Sequence, residues 1–170
     1  PLELLSQLHE TVELFNELTV GGTRAVHARL ETAPGLDVFP TMGDPALLDG
    51  LLVNLFTNSI QAVPEPDAVE ITLTCTQNQL LLEGVWTSEL LAKGGLGLPL
   101  IRAYCTAMGW QISQPEGERG LLFTLPTCQA EDLGMLHLSA PDTGSTRRRR
   151  RLYESELRLY LSAPEEPSNT

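Results

Sequence analysis

Basic residues are scarce over most of this chain, and that scarcity excludes a class of function. Residues 1–127 carry 5 Lys+Arg against 15 Asp+Glu, a net −10 within the −11 of all 170 residues. A body of that sign repels phosphate backbones, so nonspecific nucleic-acid binding by it is disfavoured. Long apolar runs are missing too. None approaches the roughly 20 residues that a membrane-spanning helix needs, so no membrane association is expected. Cysteine is sparse: Cys75, Cys105 and Cys128 are odd in number, widely separated and form no CxxC pair. Reduced thiols in a cytoplasmic setting are therefore expected. No secretory signal is recognisable, and the lack of an initiator methionine is expected of a piece cut from something longer. What remains has the length and apolar content of one ordinary domain plus an appendage.

The most informative stretch is Gly43–Val63, GDPALLDGLLVNLFTNSIQAV. Asp44 is a good N-cap, because its carboxylate accepts from orphan N–H groups of the first turn, and Pro45 is tolerated there. Leu47, Leu48, Leu51, Leu52, Leu55, Ile60 and Val63 recur at helical spacing and predict a broad buried face. Asn54 and Asn58 interrupt it, four apart and so on one side of the helix. Asparagine is costly to bury without partners. One reading of the residues alone is that the amides cap a neighbouring loop or sit at the helix edge; a sharper one rests on resemblance to a known family.

Around this helix the pattern alternates between periods. Residues 2–18 place Leu4, Leu5, Leu8, Val12, Phe15 and Leu18 on one stripe, an amphipathic helix. His9 on it lacks the residues that surround a phosphoacceptor histidine and reads as a solvated helix residue. Arg24–Glu31 alternates as a strand, Pro34-Gly35 turns, and Leu36–Met42 reads as a second short strand. Pro64 and Pro66 end the asparagine helix. Val69–Cys75 and Gln79–Trp86 should form an antiparallel hairpin around Gln77-Asn78. Gly94, Gly95 and Gly97 then lead into an apolar helix with Leu98, Leu100, Ile101, Tyr104 and Met108. A glycine turn entering a helix presents backbone N–H groups suited to phosphate. Trp110–Gln114 and Leu121–Leu125 read as a closing hairpin.

Two of these stretches resemble one family. NLFTNSIQA, after its Gly43-Asp44 lead-in, is similar to the N box (NLLxNAxxA) of the histidine-kinase-like ATPases, the GHKL or Bergerat-fold group. GGLGLPLIRAYCTAMGWQI, in the right order after it, resembles that family's second glycine box, and FTLP its last strand. The resemblance covers about Leu2 to Pro126. It implies an α/β (α+β) two-layer sandwich, with a mixed, largely antiparallel sheet under a layer of helices. It also implies a nucleotide site made of Asn54, Asn58, Gly94, Gly95, Leu96, Gly97 and Leu98, with Asn58 holding nucleotide-bound magnesium. The family's D-x-G-x-G, whose aspartate reads the adenine amino group, has no counterpart. Trp86 or a neighbour stands there, and about ten residues separate the strand from Gly94, too few for the family's lid. Nothing in the spacing supports Glu89 as a replacement. Asp49 is one turn too early to be the usual carboxylate before the first asparagine. Mg-ATP is thus expected to bind weakly or not at all. The enzyme question stays open: the isolated domain is expected to be inactive, and an active ATP-dependent histidine kinase catalytic domain with an atypical nucleotide pocket is the alternative. Catalytic residues stay unassigned.

The division expected is a histidine-kinase-like domain over 1–127 and an extension over 128–170. In the extension Leu138–Pro141 recurs as Leu161–Pro164, each after a short apolar segment. A β-hairpin with Arg147–Arg151 in or beside its turn is one expectation. A short helix over Arg149–Leu161 is the alternative, since Tyr153, Leu157 and Leu161 are four apart. The arginine run is the only basic patch, and such runs are usually solvated. Residues 164–170 should be frayed. The whole reads as a two-component signalling domain working through a protein partner: a response regulator, a kinase or a second copy. Trp86, Leu90 and Leu91 would form an uncovered apolar patch.

Overall fold

A computed structural model of the chain describes residues 2–22, 24–65, 67–83, 98–114, 120–126, 143–158 and 160–161. In order these form β1 (Leu2–Glu3), α1 (Leu4–Thr19), β2 (Val26–Thr32), β3 (Pro40–Thr41), α2 (Pro45–Ala62), β4 (Val69–Cys75) and β5 (Gln79–Glu83). They continue with α3 (Leu98–Met108), β6 (Gln111–Ser113), β7 (Gly120–Thr124) and α4 (Thr143–Glu156).

Five strands make one sheet in the order β2-β4-β5-β7-β6. Only β2 and β4 run parallel, as they must when a helical crossover joins them. The β4–β5 and β6–β7 hairpins are antiparallel, as expected from their alternation. On β4, Val69, Ile71, Leu73 and Cys75 are all buried while Glu70 faces out. Leu80, Leu82, Leu121 and Phe123 extend that apolar face across β5 and β7. Helices cover it through Leu8 and Phe15 of α1, Leu51, Leu55 and Ile60 of α2, and Ile101 and Cys105 of α3. The mixed, largely antiparallel two-layer α/β architecture expected from the sequence is therefore present.

Polar side chains close the places where this layering leaves backbone groups unpaired. Asn16 of α1 donates to Ala28 O and accepts from Ala28 N, both at 2.8 Å, acting as a one-residue strand partner on the outer edge of β2. Such edges otherwise invite pairing with another chain. The Arg24 guanidinium donates to the carbonyls of Ile60, Val63, Pro64 and Asp67 at 2.6–3.1 Å, capping the last turn of α2.

Three expectations need correction. The first helix begins at Leu4, because Leu2–Glu3 pairs with Pro40–Thr41, and Glu3 caps the helix by accepting from Leu5 and Ser6 N–H groups. The strand expected over Leu36–Met42 shrinks to Pro40–Thr41, since two-residue β1 is its only partner among the described residues. The hairpin expected in the extension is instead helix α4, with the arginine run inside it and not in a turn. The reason is the four-residue repeat Arg149, Tyr153, Leu157, which sets three side chains on one helical face; all three are buried. Tyr153 packs 6.2 Å from the Phe56 ring, which lies 4.5 Å from that of Phe15. The helix thus shares the core of the first 127 residues. Beyond it, a β-carbon on Gly22 would collide with the Tyr160 carbonyl, so the chain crosses there only because residue 22 is glycine. The boundary drawn at residue 127 and the frayed end at 164–170 lie outside the described residues.

Cys75 and Cys105 are free and buried, and burial pushes their thiols up to about 12 and about 11; Cys128 lies outside the described residues.

Tyr153→Ala should destabilise the chain by about 3–5 kcal/mol, the usual cost of deleting a buried aromatic ring. Tyr153→Phe should cost nothing or stabilise by up to about 1 kcal/mol, because the phenol oxygen has no hydrogen-bond partner among the described residues. Urea unfolding of the two variants checks both. Equal losses would mean that the hydroxyl, not the ring, holds α4 down.

Candidate functional site

Helix α2 is two-sided, and its sidedness decides what a site here can be. Eighteen residues at 100° each bring Gly50, Asn54 and Asn58 to one side and Asp49, Val53 and Phe56 to the other. The contacts agree. Toward α3, Gly50 lies under Tyr104: a β-carbon there would sit 2.6 Å from the phenol oxygen, so any larger residue would displace the Tyr104 ring from this position. One turn on, Asn54 is half-buried and its Nδ2 donates to Gly50 O at 2.7 Å. Asn58 is buried on the same side. Leu98 is buried at the first position of α3. The structure thus brings Asn54, Asn58 and Leu98 onto the two helices that the resemblance made the walls of the nucleotide cleft. Gly94, Gly95, Leu96 and Gly97 lie outside the described residues, as do Trp86, Glu89, Leu90 and Leu91. His9 is exposed on α1.

Asp49 faces the opposite way. Its Oδ1 accepts from Gln7 Nε2 at 3.0 Å and from Arg149 Nε at 2.7 Å. Gln7 also donates to Pro45 O at 2.9 Å, tying α1 to the head of α2. Arg149 is 4% exposed. Its Nη1 lies 2.8 Å from Glu10 Oε2, close enough for an ion pair but not aligned as a hydrogen bond. The second Glu10 oxygen accepts from Thr146 Oγ1 at 2.7 Å. One guanidinium from α4 therefore joins a carboxylate of α1 to one of α2. Next to it Arg150 pairs with Glu17 at 3.0 Å and Glu154 at 3.1 Å, both in solvent.

Burial sets the electrostatics. It pushes the Asp49 carboxyl up, more than the Arg149 and Gln7 hydrogen bonds and the Arg149 charge bring it down. Burial also pulls Arg149 down, but the hydrogen bond and charge of Asp49, with Glu10, outweigh it and leave the guanidinium above its ordinary value. Tyr153 is pushed well up, first by burial and then by the Asp49 charge, and stays a neutral phenol. Asp49 is consequently a structural partner of α4 and not a base for the asparagine side. Sequence reasoning missed Arg149, Glu10, Gln7 and the Gly50–Tyr104 contact. The four-residue spacing Arg149–Tyr153–Leu157 held the signal for the first, obscured by four neighbouring arginines.

No protein-family model matches the chain, and no curated protein matches it. Solved structures do. The chain is similar to the nucleotide-free catalytic domain of histidine kinase ThkA, with TM-score 0.52 and 22% identity, covering 75% of this chain and 97% of that one. It is also similar to the cytoplasmic segment of histidine kinase QseC, with TM-score 0.51 and 16% identity, covering 75% and 72%. A blue-light activated histidine kinase of Erythrobacter litoralis gives TM-score 0.51 and 18% identity, covering 77% of this chain and 44% of that one. The chain has the fold of histidine-kinase catalytic domains. Among the described residues no helix is long and apolar enough to cross a membrane.

Arg149→Met should cost about 3–5 kcal/mol, because it leaves Asp49 buried without its cation, whereas Arg149→Met combined with Asp49→Leu should recover most of that loss. Urea unfolding of the single and double variants measures the coupling, and additive losses would mean that the pair is not a unit.

The pH dependence follows from Asp49. Its folded-state value lies above the ordinary 3.8, so its contribution to stability is full below that pH and is lost as pH rises through the folded value. The stability of the natural chain relative to Asp49→Asn should fall as pH rises above 3.8. A rise above pH 3.8 would show that the ion pair outweighs desolvation.

Proposed function

We propose that this chain is a histidine-kinase-like ATP-binding domain of a two-component signalling protein, in a degenerate form that binds nucleotide weakly or not at all and works as a regulatory, protein-binding module. The observation that carries this reading is the division of labour on α2. The asparagines stand toward α3 as an ATP-binding domain of this fold would need, yet the one carboxylate within the helix, Asp49, is turned away and held by Arg149. Only 14 residues, 84–97, connect β5 to α3, and they contain no D-x-G-x-G. A site built to read one exocyclic amine loses orders of magnitude of discrimination without that hydrogen bond.

The residues fit a magnesium–nucleotide complex only in part. Asn58 offers an amide oxygen, a hard donor of the kind magnesium accepts, and Asn54 is its neighbour one turn back. Asn54 already donates to its own helix at Gly50. When bound, ATP would supply a transferable phosphoryl group. This chain's own contribution would be to orient the phosphates between Asn58 and the glycine turn. A cytoplasmic location and a response regulator, a kinase or a second copy as partner belong to the same reading.

The second reading is an active ATP-dependent histidine kinase catalytic domain with an atypical nucleotide pocket. The retained asparagine pair and the close α2–α3 approach favour it. Calorimetry with ATP and Mg²⁺ separates the two. We expect no binding at micromolar concentrations, and a modest stability change for Asn58→Ala. Micromolar or tighter binding that disappears in Asn58→Ala would make the enzyme reading the correct one.

A further inference from the structure

Helix α4 divides the arginine run into two sets. Arg149 and Arg150 are used within the chain, on Asp49 and Glu10 and on Glu17 and Glu154. Arg147, Arg148 and Arg151 stand on the outward side, all exposed, and Arg158 follows at the end of the helix. Among the described residues none of these four has a carboxylate within ion-pair distance; Arg148 reaches only the Ser145 hydroxyl, at 3.1 Å. Like charges three and four apart on a helix repel. This helix holds them because Arg149, Tyr153 and Leu157 fix it to the core. The arginines are thus presented in a constant arrangement on an otherwise acidic protein.

We propose that the outward arginines of α4 are a docking stripe for an acidic helix of a protein partner. Arg147 and Arg151 are four residues apart, about 6 Å along the helix axis, which matches carboxylates four apart on a facing helix. Guanidinium forks take such carboxylates bidentately, with Arg148 available for a third. The stripe is narrow. Glu17 and Glu154 flank it on one side, and Asp44 caps α2 beyond the cleft that Arg148 shares with Pro45 and Ala46 on the other. A nucleic acid or an anionic membrane, being broad, would press phosphates against these acids and against a body of net −10 over residues 1–127. A single acidic helix avoids them. The proposal narrows the interaction reading above to one face and one chemistry, and rests on it only in taking the partner to be a protein.

The test uses the full chain and a fluorescein-labelled helical peptide carrying glutamate at every fourth position, with an oligonucleotide of equal charge and a peptide with glutamine at those positions as controls. Fluorescence anisotropy should show the acidic helix binding at least about tenfold tighter than either control, with affinity falling as salt rises. Arg147→Glu combined with Arg151→Glu should lose about tenfold or more, while its urea midpoint changes little because both side chains are exposed. Equal binding by this variant, or tighter binding of the oligonucleotide, overturns the proposal. Self-association or partner binding that persists at high salt in the variant overturns the stripe while leaving the general interaction reading in place.

Discussion

A single buried guanidinium organises the helical layer. Arg149 enters from α4, takes Asp49 of α2 through Nε and Glu10 of α1 through Nη1, and is almost wholly withdrawn from solvent. Such a pair is a poor source of stability, since desolvation offsets most of the attraction, but it is unforgiving of misplacement. A slip of α4 by one residue would carry the charge about 100° around the helix and leave both carboxylates without it. Tyr153 and Leu157 supply the apolar burial, and Arg149 sets the register in which they are buried.

That arrangement reaches the candidate nucleotide side through α2. The helix is pressed between α4 and α1 on its Asp49–Phe56 side and α3 on its Gly50–Asn54 side. The two sides meet opposite demands. One holds a charge and an aromatic cluster in a dry interior; on the other the Tyr104 ring lies over Gly50. Asp49 and Gly50 are adjacent in sequence yet serve different neighbours, which is why the position of a carboxylate in the chain was a poor guide to its role.

The sheet shows the same economy at its margins. Asn16 satisfies both backbone groups of Ala28 on the β2 edge, and Arg24 satisfies four carbonyls at the end of α2. Both residues sit where a purely apolar layer would leave unpaired donors or acceptors.

By itself the sequence determined what local chemistry decides. Asp44-Pro45 marked the start of α2, the alternation in Val69–Cys75 and Gln79–Trp86 marked a hairpin, and the apolar spacing after Leu98 marked α3; each rests on neighbours within a few residues. The two motif stretches together also made legible the fold that the solved structures share. Contacts between distant residues were not legible. Whether Leu2–Glu3 began a helix or a strand depended on Pro40–Thr41, nearly forty residues away. In the extension the four-residue spacing allowed a helix beside the hairpin, and burial of Tyr153 and Leu157 against the core decided between them. The fate of Arg149 was decided by tertiary contact too. Five like charges in a row predict a solvated face, and only a partner carboxylate one hundred residues back, at Asp49, makes burial of one of them affordable.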